Sequence, residues 1–175
     1  MSTVLAHLQS DAVCQLRFGR VLRALLAEQV SIAPWREILR VIQDVGLPHD
    51  DVHKAVQAVR LRLKPYLPGN GPQILRKQVP ESVETRVARW LQAQDGKLYF
   101  SIPPEDTQDL LSTIRTYVEP FEKDIALVVR ELRVRPFIRK LIELEFPNIM
   151  VMAEEECLTP DEQVAPALQH EGESQ

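Results

Sequence analysis

Cysteine is scarce in this chain: Cys14 and Cys157 are the only two among 175 residues. They share no C-x-x-C spacing, so neither a disulfide framework nor a zinc site is indicated, and a reducing compartment is the default. Glycine is scarce too, with six residues, and "GNG" at 69–71 lacks both the spacing and the lysine of a phosphate-cradling loop. No stretch approaches the roughly 18 to 20 consecutive apolar residues that cross a bilayer. The opening "MSTVLAHLQSD" has neither the basic start nor the apolar block of a signal peptide. The chain as given therefore reads as soluble. Neither sign of charge prevails: 21 basic against 25 acidic residues leave a net charge of −4. No basic stripe of the kind that grips phosphate backbones is visible.

What is present is a globular composition, 45% hydrophobic and 26% charged. At this length one domain or two small ones can bury about 70% of the unfolded surface. The N-terminal third reads as helices. Val4, Leu5 and Leu8 open one short amphipathic segment; Leu16, Val21, Leu22, Leu25 and Leu26 recur near helical spacing in a second. In "LLAEQVSIAPWREIL", residues 25–39, Ser31 is placed as an N-cap and Pro34 in the first turn. Trp35, Ile38, Leu39 and Ile42 then form a buried stripe that Gly46 stops. Asp50 or Asp51 caps a third helix carrying Val52, Val56, Val59 and Leu63. Its end, "VRLRLK", alternates with period two and also fits a strand, but the preceding register favours helix until Pro65.

"PYLPGNGP", residues 65–72, is the best boundary. Beyond it the texture changes. "QILRKQV" is a possible strand, and a helix from Pro80 carries Val83, Val87, Trp90 and Leu91. Asp95-Gly96 marks a turn into the strand "KLYFSI". A helix from Pro104 turns Leu110, Leu111, Ile114 and Val118 inward. "IALVVR" (strand), "RPFIRKLIELEF" (helix) and "NIMVM" (strand) follow. The expected fold is mixed α+β: an all-helical subdomain over 1–66, a linker and possible strand over 67–79, and a small α/β subdomain with a mixed sheet over 80–158. Residues 159–175 read as a flexible tail.

Sites of chemistry are few. His49 and His53 in "HDDVH" have a helix-face spacing, but no third ligand is placed with them, and a solvated helix start is the favoured reading. "EEE" at 154–156 reads as a solvated strand end, and Cys157 has no base beside it. Arg60, Arg62 and Lys64 fit a DNA-reading helix only with a basic stripe, which is absent. Trp35 and Trp90 read as core. No enzyme, cofactor or metal site emerges.

Two segments look familiar. "LLAEQVSIAPWREIL" followed by "AVRLRL", and "VRPFIRKLIELEFPNIMVM" near the other end, resemble the large export-gate subunit of type III secretion systems. "VPESVETRVARWL" between them is similar to that family's Pro-Glu helix, so the likeness runs over roughly residues 14–164. Departures fall at Ala153–Glu155, Pro34 and Pro65.

The resemblance implies the C-terminal part of a cytoplasmic domain: a third, helical subdomain and a fourth, α/β one, with the membrane region outside this chain. It further implies a nonameric ring of identical subunits on the cytoplasmic face of the bacterial inner membrane. Such a ring meets secretion substrates, chaperones, a gatekeeper and the ATPase stalk, without catalysis and without nucleic acid. For a piece this short alone, a monomer or weak oligomer is expected.

A heterologous ring needs unlike faces on one subunit. Glu28, Arg36, Arg60 and Arg62, flanking the helical stripe, are therefore the subunit-interface candidates, and Arg135 and Arg139 the stalk-contact candidates. A stand-alone interaction module ranks second and a helix-turn-helix regulator third.

Overall fold

The computed structural model describes residues 12–45, 52–94, 97–121 and 124–159. The expected segment at Val4–Leu8, the stop at Gly46, the caps at Asp50 and Asp51, His49, the Asp95-Gly96 turn and the tail beyond Thr159 lie outside the described residues. The chain divides into two compact units. Residues up to Asn70 together with those from Glu156 onward form one, and Gly71–Glu155 the other.

The first unit is helical: α1 spans Ala12–Ala27, α2 Trp35–Val45 and α3 Val52–Arg62. Helix α3 packs against both α1 and α2. The core between them holds Val21 and Leu25 of α1, Ile38, Leu39, Val41 and Ile42 of α2, and Ala55, Val56 and Val59 of α3. Each large aliphatic side chain buried this way contributes about 1.5–3 kcal/mol. The period-two alternation in "VRLRLK" does not make a strand. Leu63 N–H still bonds to the Val59 carbonyl at 2.8 Å, and Pro65 is absorbed into a short 3-10 turn, Lys64–Tyr66.

Three expectations fail here, each for a geometric reason. Leu16 and Leu26 are 58% and 52% exposed. At 100° per residue they fall well away from the face that carries Val21 and Leu25. Ser31 does not cap α2. Its Oγ accepts from Ala33 N–H at 3.2 Å in a local turn, while the Pro34 carbonyl accepts the first helical bonds, from Glu37 and Ile38 N–H. The cap position therefore falls on Pro34, three residues too far along for Ser31. Trp35, the first helical residue, is 41% exposed rather than part of the buried stripe.

Between α1 and α2 the chain makes a Schellman turn. Val30 N–H bonds to the Leu25 carbonyl and Gln29 N–H to the Leu26 carbonyl, both at 2.9 Å. Gln29 takes the left-handed conformation, φ 60°, that this turn requires and that glycine ordinarily supplies.

The second unit runs β1 (Leu75–Gln78), α4 (Glu81–Arg89), β2 (Leu91–Gln94), β3 (Lys97–Phe100), α5 (Pro104–Val118), β4 (Ile125–Val129), α6 (Arg135–Ile142) and β5 (Met150–Ala153). The parallel and antiparallel pairings are divided between two sheets. A parallel sheet has the order β1-β4-β5, with Leu75 opposite Ile125 and Ala126 opposite Met150. A separate antiparallel hairpin pairs β2 with β3, Leu91 opposite Phe100. Strand β2 takes residues assigned from the sequence to the preceding helix: Trp90 leaves helical geometry at ψ 0°, and Leu91 opens the strand.

Ile125, Leu127 and Val129 of β4 join Val83, Val87, Leu110, Ile114, Ile138 and Ile142 in one apolar core. The alternate residues Ala126 and Val128 are buried as well, as a central parallel strand requires.

Candidate functional site

The interface candidates separate into two kinds once their surroundings are known. Arg60 projects from the last turn of α3 and is 0% exposed. Its Nε donates to Glu156 Oε1 at 2.7 Å and its Nη2 to Glu156 Oε2 at 2.8 Å, a two-pronged pair. Its Nη1 lies 3.0 Å from Oε2 of Glu28, at the C-terminal end of α1. Burial works against the guanidinium charge, but the hydrogen bonds and charges of Glu156 and then Glu28 outweigh it and hold the pKa above the ordinary arginine value.

Arg60 is therefore no surface residue, and its expected role in subunit contact is withdrawn. Glu28 also points inward, toward Arg60. Glu156 corrects a second expectation: of the three successive carboxylates only Glu154 and Glu155 are exposed, and Glu156 is fully buried.

Arg36 and Arg62 remain at the surface. The Arg36 guanidinium lies over the exposed ring of Trp35, 4.9 Å from its centroid, in cation–π geometry. Tryptophan and arginine are both among the residue types enriched at binding hot spots. Trp35 was read from the sequence as core, because its place in the stripe says nothing of how far α3 reaches along α2.

The stalk candidates are reassigned likewise. Arg135 and Arg139 on α6 are both buried. Arg139 donates to the carbonyls of Ile149 at 2.8 Å and Pro147 at 3.1 Å, bracing the loop that leads into β5. The "RPFIRK" spacing gave no sign of this, since the acceptors of Arg139 are backbone oxygens.

The exposed side of the α/β unit carries an open, largely apolar groove of ≈ 620 Å³. Its walls include Phe100, Ile102, Leu111, Leu141 and Leu144. Leu144 stands 92% exposed at its edge, and Lys140, ion-paired with Glu143, and Glu145, bonded to Arg115 at 2.6 Å, supply charge beside it. Among the described residues, no group of three or more His, Cys, Asp or Glu side chains is placed to hold a metal. None of the described helices is long and apolar enough to cross a membrane.

Comparison with known proteins gives this geometry a setting. Invasion protein InvA of Salmonella typhimurium is 27% identical over 143 residues, 78% of this chain and 21% of that protein. Low calcium response locus protein D of Yersinia pestis is 26% identical over 146 residues, 80% of this chain and 21% of that protein. The chain thus spans about a fifth of the length of the curated relatives it matches.

Among solved structures, the C-terminal domain of InvA superposes with a TM-score of 0.73 at 27% identity, over 88% of this chain and 48% of that one. The Chlamydia pneumoniae CdsV and CdsO complex matches at 0.69 and 24% identity, over 82% and 44% of the two chains. Nonameric SctV-C of EPEC matches at 0.66 and 17%, over 89% and 52%. The last two likenesses speak for the fold alone. A model of the FHIPEP family matches residues 1–162, nearly the whole chain. The chain belongs to the FHIPEP family, that of type III secretion export-gate subunits, and its fold is similar to the C-terminal domain of InvA.

Proposed function

We propose that this chain is a non-catalytic building piece of an export gate. In this reading its helical unit contributes to a ring of identical subunits, and the ring docks secretion substrates, their chaperones, a gatekeeper and the ATPase stalk. The parent protein sits at the cytoplasmic face of the bacterial inner membrane, held by a membrane region outside the sequence given. The observation that carries the proposal is the family match over residues 1–162 together with the InvA-like fold over 88% of the chain. A fold shared with SctV-C, solved as a nonamer, and with CdsV, solved with a second protein, CdsO, is compatible with ring formation and stalk docking, which the proposal takes from the family.

The surface that best suits subunit contact lies on the helical unit. Trp35 with Arg36 stacked on it offers an anchor of large, stiff, amphipathic area, and Arg62 offers an exposed charge. Rim charges of this kind steer and orient association more than they add affinity.

A secretion assay tests the function as a whole. Deleting the parent gene is expected to abolish export of the system's substrates while leaving their synthesis unchanged, and the restored gene to recover it. Export that continues at the wild-type level in the deletion strain contradicts the proposal.

A further inference from the structure

The helical unit is not closed by consecutive sequence alone. We propose that Glu156–Leu158 is a clip on which the fold of the helices depends, with the buried guanidinium of Arg60 as its seat. Glu156 arrives 96 residues after Arg60 and meets it through both carboxylate oxygens, at 2.7 and 2.8 Å. Asn70 fastens the same segment a second time. Its Nδ2 donates to the carbonyls of Glu156 at 2.8 Å and Lys64 at 2.9 Å, and its Oδ1 accepts from Leu158 N–H at 3.0 Å. Leu158 itself is buried beside them. The end of α1 at Glu28, the end of α3 at Arg60, the 3-10 turns through Asn70 and the returning chain thus meet at one cluster.

Dependence, rather than decoration, follows from the cost of burying charge. Taking a guanidinium out of water costs several kcal/mol unless partners with good geometry offset it. Within residues 12–70, Glu28 supplies one carboxylate contact; the two-pronged one comes from Glu156. Losing Glu156 leaves Arg60 inside the helical core with its charge far less compensated. The core can then relieve the charge only by opening toward water. The clip also explains why Glu156 differs from its neighbours Glu154 and Glu155, which the same run of sequence leaves exposed.

Amide hydrogen exchange on the full chain tests this, because exchange reads the opening of each segment separately. In Glu156→Gln, amides of α1 and α3 are expected to exchange on the order of 100- to 1,000-fold faster, the scale of a broken buried pair. Those of β4 and α6 should keep their wild-type rates. Glu154→Gln, an exposed change two residues away, should alter neither. Wild-type exchange in α1 and α3 of Glu156→Gln overturns the proposal, and so does an equal acceleration in β4.

Should Glu156→Gln fail to fold, the double variant Arg60→Met/Glu156→Met decides. Removing both charges is expected to restore most of the protection of the helices, since Glu28, 14% exposed, keeps some access to water, whereas a double variant as unprotected as either single one counts against the clip.

Discussion

The two units of this chain solve the same problem by different means. The α/β unit is closed by apolar surface: β4 is buried along its whole length, and Leu110, Ile114, Ile138 and Ile142 cover one of its faces. It buries charge as well: Glu84 accepts from Arg130 at the end of β4, Arg139 is held by backbone carbonyls, and Arg135 is fully buried. The helical unit has an aliphatic core too, but sets a fully buried guanidinium within it, bound to carboxylates from two distant segments. Apolar packing tolerates many partners of about the right size. A planar guanidinium accepts few geometries, so it fixes which segment docks and in what register, at some cost in stability.

Substitutions that treat the units unequally sharpen the contrast. The largest effect is expected from Arg60→Met, which strands the buried carboxylate of Glu156 and the half-buried one of Glu28. Urea unfolding followed by a probe in the helices should show a loss of about 3–5 kcal/mol, the range for breaking a buried pair from one side. Charge reversal at Arg60 should therefore unfold the helical unit rather than selectively weaken assembly.

Ile138→Ala is the matching change in the α/β unit. It leaves a cavity in an apolar core and should cost about 2–5 kcal/mol there. Restoring methyl groups should recover part of this loss, whereas no apolar residue at position 60 alone can spare Glu28 and Glu156 their desolvation.

The smallest change goes the other way. Gln29→Gly relieves a left-handed residue, worth about 1–2 kcal/mol. It also gives the unfolded chain about 0.5–1 kcal/mol of extra freedom. A net gain of about 0.5 kcal/mol is expected, read as a rise in the thermal midpoint.

The same contrast marks what could be read in the sequence. The α/β unit was largely legible, because periodicity reports burial: "IALVVR" is a continuous apolar run and became the central strand. The hairpin partner β2 was not, since the alternation in Leu91–Gln94 is only four residues long and follows a helix without a break. In the helical unit, spacing located α1, α2 and α3 but misjudged where each side chain ends. Trp35 fits the stripe of α2 by position yet stays exposed, and Leu26 sits off the buried face of α1 although it adjoins Leu25 in sequence.

Charged residues were least legible of all. Arg60 and Arg139 look like surface residues in a charged sequence, and only the arrival of Glu156 for the first, and of backbone carbonyls at Pro147 and Ile149 for the second, explains their burial. Pairing across 96 residues leaves no local trace. The family likeness, by contrast, was carried by whole segments in order, so it survived these errors of detail.

Sedimentation velocity on the entire cytoplasmic domain of the parent protein, with native residue 62 and with Arg62→Glu, bears most directly on the account of this chain as a ring component. The native protein is expected to sediment as a ring-sized assembly. The variant, altered only at an exposed side chain, should shift toward monomer with an unchanged thermal midpoint. A native protein that stays monomeric at every concentration, or a variant that assembles as fully as the native one, contradicts the account.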